Sequence, residues 1–297
     1  MNRLHIRALT ILLTAAFTSG CASLPLLAQN ESDDLLLMAP APEYLAFYIG
    51  SCEAGGASAG CIQEVPSGWA LLSPGVAMGS GSAKELWSRG ARRNLVVRKH
   101  EVTQGEWKDL MGDNPSYHSS CGDDCPVERV SWYDSLTYLN RLSIRDGLEP
   151  CYELQGCQGA ISGGCPAGRA WCEATTTCDS VRFLGTECTG YRLPNEEEWR
   201  WITEGLGDEG PGVQADLDSA AWCADISGGM VRDVYNDDRS YLPVDGITGN
   251  VWEWVWTESD QAGGYKTARG GSFLTSPERC NAGAKSPMVA SLRSYFV

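Results

Sequence analysis

Residues 269–280 read RGGSFLTSPERC, from Arg269 to Cys280. Two glycines, a serine and an aromatic lead into a stretch that ends on one cysteine. The chain's fold and chemistry both turn on whether Cys280 is a working thiol or half of a cystine. A reactive thiol needs its pKa lowered by neighbouring charge, and Arg269 and Arg279 are near it only in sequence. The preceding cysteine is Cys223.

The chain has 297 residues and 13 cysteines. A chain of that length buries roughly three quarters of its unfolded surface, so cysteines are not needed to make up for a small core. Short spacings such as Cys121 to Cys125 and Cys172 to Cys178 point instead to cystine loops in an oxidising compartment. Zinc sites of the finger type use C-x2-C pairs, and none occurs.

The N-terminus supplies a route to such a compartment. Met1 to Arg7 carries Arg3 and Arg7 with no acid, and Ala8 to Phe17 is apolar. This reads as a signal peptide, too short for a span of about 20 apolar residues. It ends in Thr18-Ser-Gly-Cys21, which resembles the lipobox of bacterial lipoproteins, with Thr18 in place of the usual leucine. The resemblance implies lipidation and cleavage at Cys21, membrane attachment through the N-terminal lipid, and an exported protein held at the outer membrane or cell surface. Net charge is −15, and loss of Arg3 and Arg7 with the leader makes it more negative. Such a surface repels phosphate backbones, so nucleic acid is excluded as a partner. Acidity also suits calcium.

Residues 1–21 are therefore expected to be the leader, 22–65 a tether in which Cys52 and Cys61 close a small loop, and 66–297 one domain. Three helix starts share one pattern, a Ser, Thr or Asn followed three residues later by an acid that reaches back to the N-cap amide. They are Thr103 to Glu106, Ser131 to Asp134 and Asn195 to Glu198. The second opens the longest helix, with Trp132, Leu136, Leu139 and Leu142 on one core-facing stripe and Gly147 as its stop. Little helix is expected after Gly205. Between Cys151 and Cys188 six cysteines sit among few large apolar side chains, so this insertion, 151–188, must be held by cystines. Locality pairs Cys157 with Cys165 and Cys172 with Cys178, leaving Cys151 and Cys188 to close the base, one of fifteen pairings.

In order, the chain carries Met78-Gly-Ser80, Glu101-Val-Thr-Gln-Gly-Glu-Trp107, Pro126-Val-Glu-Arg-Val-Ser-Trp132, Tyr191-Arg-Leu-Pro-Asn-Glu-Glu-Glu-Trp199, Gly249-Asn-Val-Trp-Glu-Trp254 and Arg269-Gly-Gly-Ser-Phe273. Together these resemble the formylglycine-generating enzyme family, also called the sulfatase-modifying factor domain. The resemblance implies an α+β, C-type-lectin-like fold with little regular secondary structure, rich in loops and disulfides. In the enzymes two cysteines after the Gly-Gly-Ser-aromatic strand bind Cu(I), which activates oxygen to convert a sulfatase cysteine into formylglycine. A soft monovalent ion is well served by two thiolates. The matching positions here are Thr275 and Cys280, so the copper site is not expected to form. Setting Cys21 aside leaves twelve cysteines, and Cys223 and Cys280 become the natural remaining pair.

The same resemblance implies a calcium site at Gly249-Asn-Val-Trp-Glu253, through main-chain carbonyls at Gly249 and Val251 and the carboxylate of Glu253, with Asn250 nearby. Hard oxygens suit that ion. The competing reading pairs Glu253 with an arginine. An iron-dependent branch of the family uses three histidines, whereas only His100 and His118 follow Cys21. No phosphate-binding loop or H-E-x-x-H motif occurs. Family members continue beyond a stretch like Ser294-Tyr-Phe-Val297 into a final strand, so a truncated or divergent copy is one expectation. Two functions remain. One is a binding or scaffolding module with a groove at Trp254, Ser272 and Thr275 for a protein, peptide or glycan. The other is an oxidase in which Cys280 and Ser272 are catalytic.

Overall fold

The computed structural model describes residues 68–72, 95–161, 164–174, 176–203, 221–235, 244, 246–257 and 264–297. Cys21, the tether and the Cys52–Cys61 loop lie outside the described residues. The elements, in order, are β1 (Trp69–Leu72), β2 (Leu95–Arg98), α1 (Gln104–Met111), α2 (Trp132–Arg145), β3 (Tyr152–Gln155), β4 (Trp171–Glu173), β5 (Ser180–Phe183), α3 (Glu196–Thr203), β6 (Glu253–Trp254), β7 (Tyr265–Arg269), β8 (Lys285–Val289) and β9 (Leu292–Ser294). Every strand pairing is antiparallel: β1 with β2, β3 with β5, β4 with β9, and β6–β7–β8 as a three-stranded sheet.

Each helix begins where its side chains satisfy the free amides of the first turn. Thr103 and Glu106 form a reciprocal capping box on α1, and Ser131 and Asp134 form another on α2. On α3 the Glu198 N–H donates to Asn195 Oδ1 at 2.9 Å, and the Asn195 N–H donates to Glu198 at 2.9 Å. Gly147, at φ 73°, turns the chain out of α2.

The apolar stripe of α2 anchors the largest core. Trp132 and Leu136 pack with Tyr152, Trp254, Trp256, Ala268, Met288 and Val297. The first of these rings stacks on Trp256 at 5.4 Å. The other side of α2 meets α1 through Tyr138 and Leu142 against Trp107 and Val127, with Trp107 and Tyr138 stacked at 4.9 Å. A separate core gathers Trp199, Trp201 and Ile202 of α3 with Ile247, Val255 and Ala282. Those aromatic anchors account for how a fold with such short strands can hold together, since each large ring buries far more area than a β-branched side chain.

Asp134 serves twice. Besides capping α2, its carboxylate accepts from Arg293 Nε at 2.8 Å and Nη2 at 2.8 Å. Arg293 also donates to Ala160 O at 2.7 Å and Gly164 O at 3.0 Å. This buried bidentate pair clips the cysteine-rich insertion to α2 and β9, with the guanidinium's remaining donors satisfied, the condition a buried ion pair requires.

The described cysteines form five disulfides: Cys121–Cys125, Cys151–Cys188, Cys157–Cys178, Cys165–Cys172 and Cys223–Cys280. The expected short loop at Cys121, the base of the insertion and the Cys223–Cys280 pair are present. The local pairings Cys157–Cys165 and Cys172–Cys178 are not. Strand pairing overrides locality. An antiparallel bridge between Gln158 and Thr177 sets Cys157 beside Cys178, while Cys172 lies in β4, drawn away to face Arg293 of β9.

Candidate functional site

At the end of β7 the backbone must turn sharply, and Gly270 and Gly271 do so at φ 90° and 89°, a region in which only glycine is unstrained. Close packing demands glycine as well. A Cβ on Gly271 would lie 3.3 Å from Cys280 Sγ and 3.6 Å from Thr275 Cβ, and one on Gly270 would lie 3.0 Å from Ile247 O. The turn thereby sets Thr275 and Cys280 around one point, the arrangement the sequence implied.

The side chains at that point are committed to structure. Cys280 is 1% exposed and bonded to Cys223. Ser272 is equally buried. Its N–H donates to Thr275 Oγ1 at 2.9 Å, the two hydroxyl oxygens lie 3.2 Å apart, and the Thr275 N–H donates to Ser272 O at 2.9 Å. A second loop is stitched on: the Ala224 N–H donates to Thr275 O at 3.1 Å, and Ser227 Oγ donates to Phe273 O at 2.7 Å. Trp254, the expected groove residue, is 5% exposed, with its indole N–H donating to Val130 O at 3.1 Å.

These residues do not fit copper. The donors available are a protonated threonine hydroxyl and a sulfur already in a disulfide, neither of which replaces a thiolate for a soft d10 ion. Cys280 is likewise no nucleophile in this state, because the thiolate is the reactive form. Arg269, a candidate for activating it, pairs instead with Glu196 of α3, which also bonds Lys285 at 2.8 Å.

Three large apolar side chains stand outward on the two loops, among the exposed Asp225, Glu278 and Arg279. Leu274, Ile226 and Met230 are 41%, 40% and 47% exposed, each beside a residue of the stitched pair of loops. Next to them Trp222 donates its indole N–H to Met230 O at 2.7 Å and lies under the Arg232 guanidinium at 5.1 Å. Nothing in the sequence marks these side chains, since isolated apolar residues in glycine-rich loops have no periodicity.

The Gly249–Glu253 segment lies alongside. The Gly249 N–H donates to Gly270 O at 3.0 Å, and the Phe273 N–H donates to Asn250 O at 2.8 Å. Asn250, at φ 56°, clips residue 232: its Oδ1 accepts from the Arg232 N–H at 3.0 Å and its Nδ2 donates to Arg232 O at 3.2 Å. The expected arginine partner of Glu253 is absent among the described residues, because Arg269, opposite it in the β6–β7 register, turns to Glu196. Glu253 instead meets Glu101, from the connection between β2 and α1. Burial, with the nearby Glu101 charge, holds the Glu253 carboxyl well above the usual range. Burial also lifts Glu101 to about 8, opposed by Arg232, Asn250 and the main chain of Val251. An oxygen-only donor set with two acids suits a hard cation. Among the described residues no group of three or more His, Cys, Asp and Glu assembles a metal centre.

The sulfatase-modifying factor enzyme 1-like domain matches residues 76–296. The chain belongs to the sulfatase-modifying factor family. A curated relative, Chaperone protein LppX of Paenibacillus barcinonensis, is 28% identical over 208 residues, covering 62% of this chain and 70% of the relative. Treponema denticola variable protein 1 superposes with a TM-score of 0.55 at 23% identity, over 77% of this chain and 91% of that one. The solved structure of CarF gives 0.54 at 18% identity, over 77% and 94%. Those likenesses carry the fold: an α+β, C-type-lectin-like member of the sulfatase-modifying factor family, rich in loops and disulfides.

Proposed function

We propose that this sulfatase-modifying factor domain is a binding or scaffolding module of the cell envelope and not an oxidase, and that its partner is a polypeptide. The observation that carries the reading is the Cys223–Cys280 disulfide facing Thr275. Formylglycine formation needs a pair of thiolates where this chain has a hydroxyl and a cystine. The exposed Ile226, Met230 and Leu274 favour a protein surface over a glycan, since aliphatic side chains gain by covering apolar area and offer sugars no hydrogen bonds. The relative named a chaperone protein supports a polypeptide partner. The export signal read at residues 1–21 supports a domain that works outside the cytoplasm, where cystines persist.

Mass mapping of the unreduced, alkylated protein is expected to recover Cys223 and Cys280 only as a linked peptide pair. Oxygen uptake with a cysteine-bearing sulfatase peptide and Cu(I) is expected to stay at background. Alkylated Cys280 together with peptide-dependent oxygen uptake would instead establish the oxidase.

A further inference from the structure

Arg129 lies just ahead of α2, is 6% exposed, and has two donors, Nε and Nη2, with no hydrogen-bond partner. A buried guanidinium left so is unfavourable, and native chains hold few such groups without a reason. Those two atoms form one edge of the fork. It is the edge that Arg293 sets on the Asp134 carboxylate and Arg182 sets on that of Glu153, the bidentate geometry that a carboxylate fits.

The backbone holds this residue under strain. Arg129 sits at φ 61°, a left-handed conformation that is unfavourable for a residue with a long side chain and that gathers at functional sites. Its N–H donates to Ser294 O at 2.9 Å and Val297 O at 2.8 Å, which fixes the strained turn against the end of β9 and the residues after it. Glu128, the acid whose charge reaches Arg129, is turned to residue 118 instead. Its Oε1 accepts from the His118 N–H at 2.6 Å and faces His118 Nδ1 at 3.5 Å, while its Oε2 has no hydrogen-bond partner. Over the guanidinium lies the Tyr117 ring, 4.8 Å from Cζ. Tyr117 is 45% exposed, so the cover is a surface side chain able to change rotamer quickly.

We propose that Arg129 anchors a carboxylate-binding site, covered by Tyr117, which takes a carboxylate of the polypeptide partner, at a chain end or on an acidic side chain. It rests on the polypeptide reading for the source of that carboxylate alone. One negative charge fits better than a phosphate. Apart from Glu128 and the Tyr117 phenol no ionisable group acts on Arg129, so no second cation balances a dianion brought beside Glu128. The position suits the proposed partner. His118 meets Phe273 edge-on at 5.2 Å and Tyr117 meets Tyr295 edge-on at 5.7 Å, and Phe273 and Tyr295 belong to one core with Val231 and Trp222. Leu274 and Met230, next in the chain to Phe273 and Val231, thus stand on the same core as the fork. One partner then has an apolar and a charged hold.

The test is an NMR titration of the isotope-labelled full chain, read at the Arg129 Nε–Hε resonance, which R129K assigns by its loss. The probes are N-acetyl-triglycine with a free terminal carboxylate, an N-acetyl-Gly-Asp-Gly amide whose one carboxylate is on the side chain, the N-acetyl-triglycine amide, and inorganic phosphate. At least one of the two carboxylates is expected to move the resonance saturably, and the one with the lower half-saturation names the source. The uncharged amide is expected to leave it unmoved, and phosphate to bind about tenfold weaker. R129K keeps the charge without the fork and is expected to weaken the carboxylate by about tenfold, read on the peptide's own signals. No saturable shift with either carboxylate, an equal shift with the amide, phosphate binding as tight as the better carboxylate, or unchanged affinity in R129K overturns the proposal. Should near-UV circular dichroism show R129K unfolded, the wild-type contrast of acid with amide decides by itself. Thiol mapping and oxygen uptake read Cys280 instead, so this site and the binding-module reading can each fail alone.

Discussion

At Thr275 one hydroxyl replaces one thiol, and the hydrogen bonds around it show why the exchange is stable. The hydroxyl accepts from the Ser272 N–H and touches the Ser272 hydroxyl, so a cysteine there would return a weak acceptor for a good one. Restoring the sulfur alone is therefore expected to do little. Thr275→Cys is predicted to leave Cu(I) affinity unchanged, because Cys280 is still held by Cys223. The double variant Thr275→Cys with Cys223→Ser frees both thiols around Gly271 and is predicted to gain Cu(I) affinity by about tenfold or more, measured in competition with a chromogenic Cu(I) chelator. It also loses a disulfide spanning 57 residues, which costs about 4 kcal/mol in the chain-entropy account, so the titration belongs at low temperature. A gain in the single variant would mean that the Cys223–Cys280 bond is not what blocks the metal.

Helix starts and cystine pairs show which features are legible in a sequence. The three capping boxes are local, fixed within four residues, and Thr103, Ser131 and Asn195 all cap as the sequence implies. The α2 stripe is legible for the same reason. Inside the insertion the pairing depends on partners far along the chain: Cys172 follows β4 to β9, more than a hundred residues away, and no local spacing reports that. Glu101 was hidden in a similar way. It stands in a recognisable motif, but its closeness to Gly246 and Glu253 comes only from the fold. The base of the insertion, by contrast, is a sequence expectation that the structure meets, and its energetic weight can be tested. Cys151–Cys188 closes a separation of 37 residues, and the entropy of that loop gives about 4 kcal/mol. Cys151 is fully buried in the α2 core beside Tyr152. The paired change Cys151→Ala with Cys188→Ala is predicted to lower unfolding stability by about that amount, read as a shifted urea midpoint. Thiol mapping should still show Cys223 linked to Cys280. If instead that distant pair opens too, the insertion and the site are one cooperative unit.

For the whole molecule, charge decides how a lipid anchor would behave. A single acyl chain binds membranes only marginally, and proteins that use one add a basic patch as a second signal. This chain carries a net charge of −15, so its surface opposes anionic headgroups and supplies no such signal. Among the described residues no helix is long and apolar enough to cross a membrane. The attachment we propose is through the lipids expected at Cys21, which lies outside the described residues. Cys21→Ser is predicted to move the exported protein wholly from the membrane pellet to the soluble fraction, with no dependence on salt. Partial release that high salt completes would point to an electrostatic contact that net charge argues against. Retention in the pellet after both salt and carbonate washes would remove Cys21 as the anchor. The proposed polypeptide contact through Ile226, Met230 and Leu274 does not depend on any of these outcomes, because the loops that carry them are held by the Ala224 and Ser227 bonds within the folded domain.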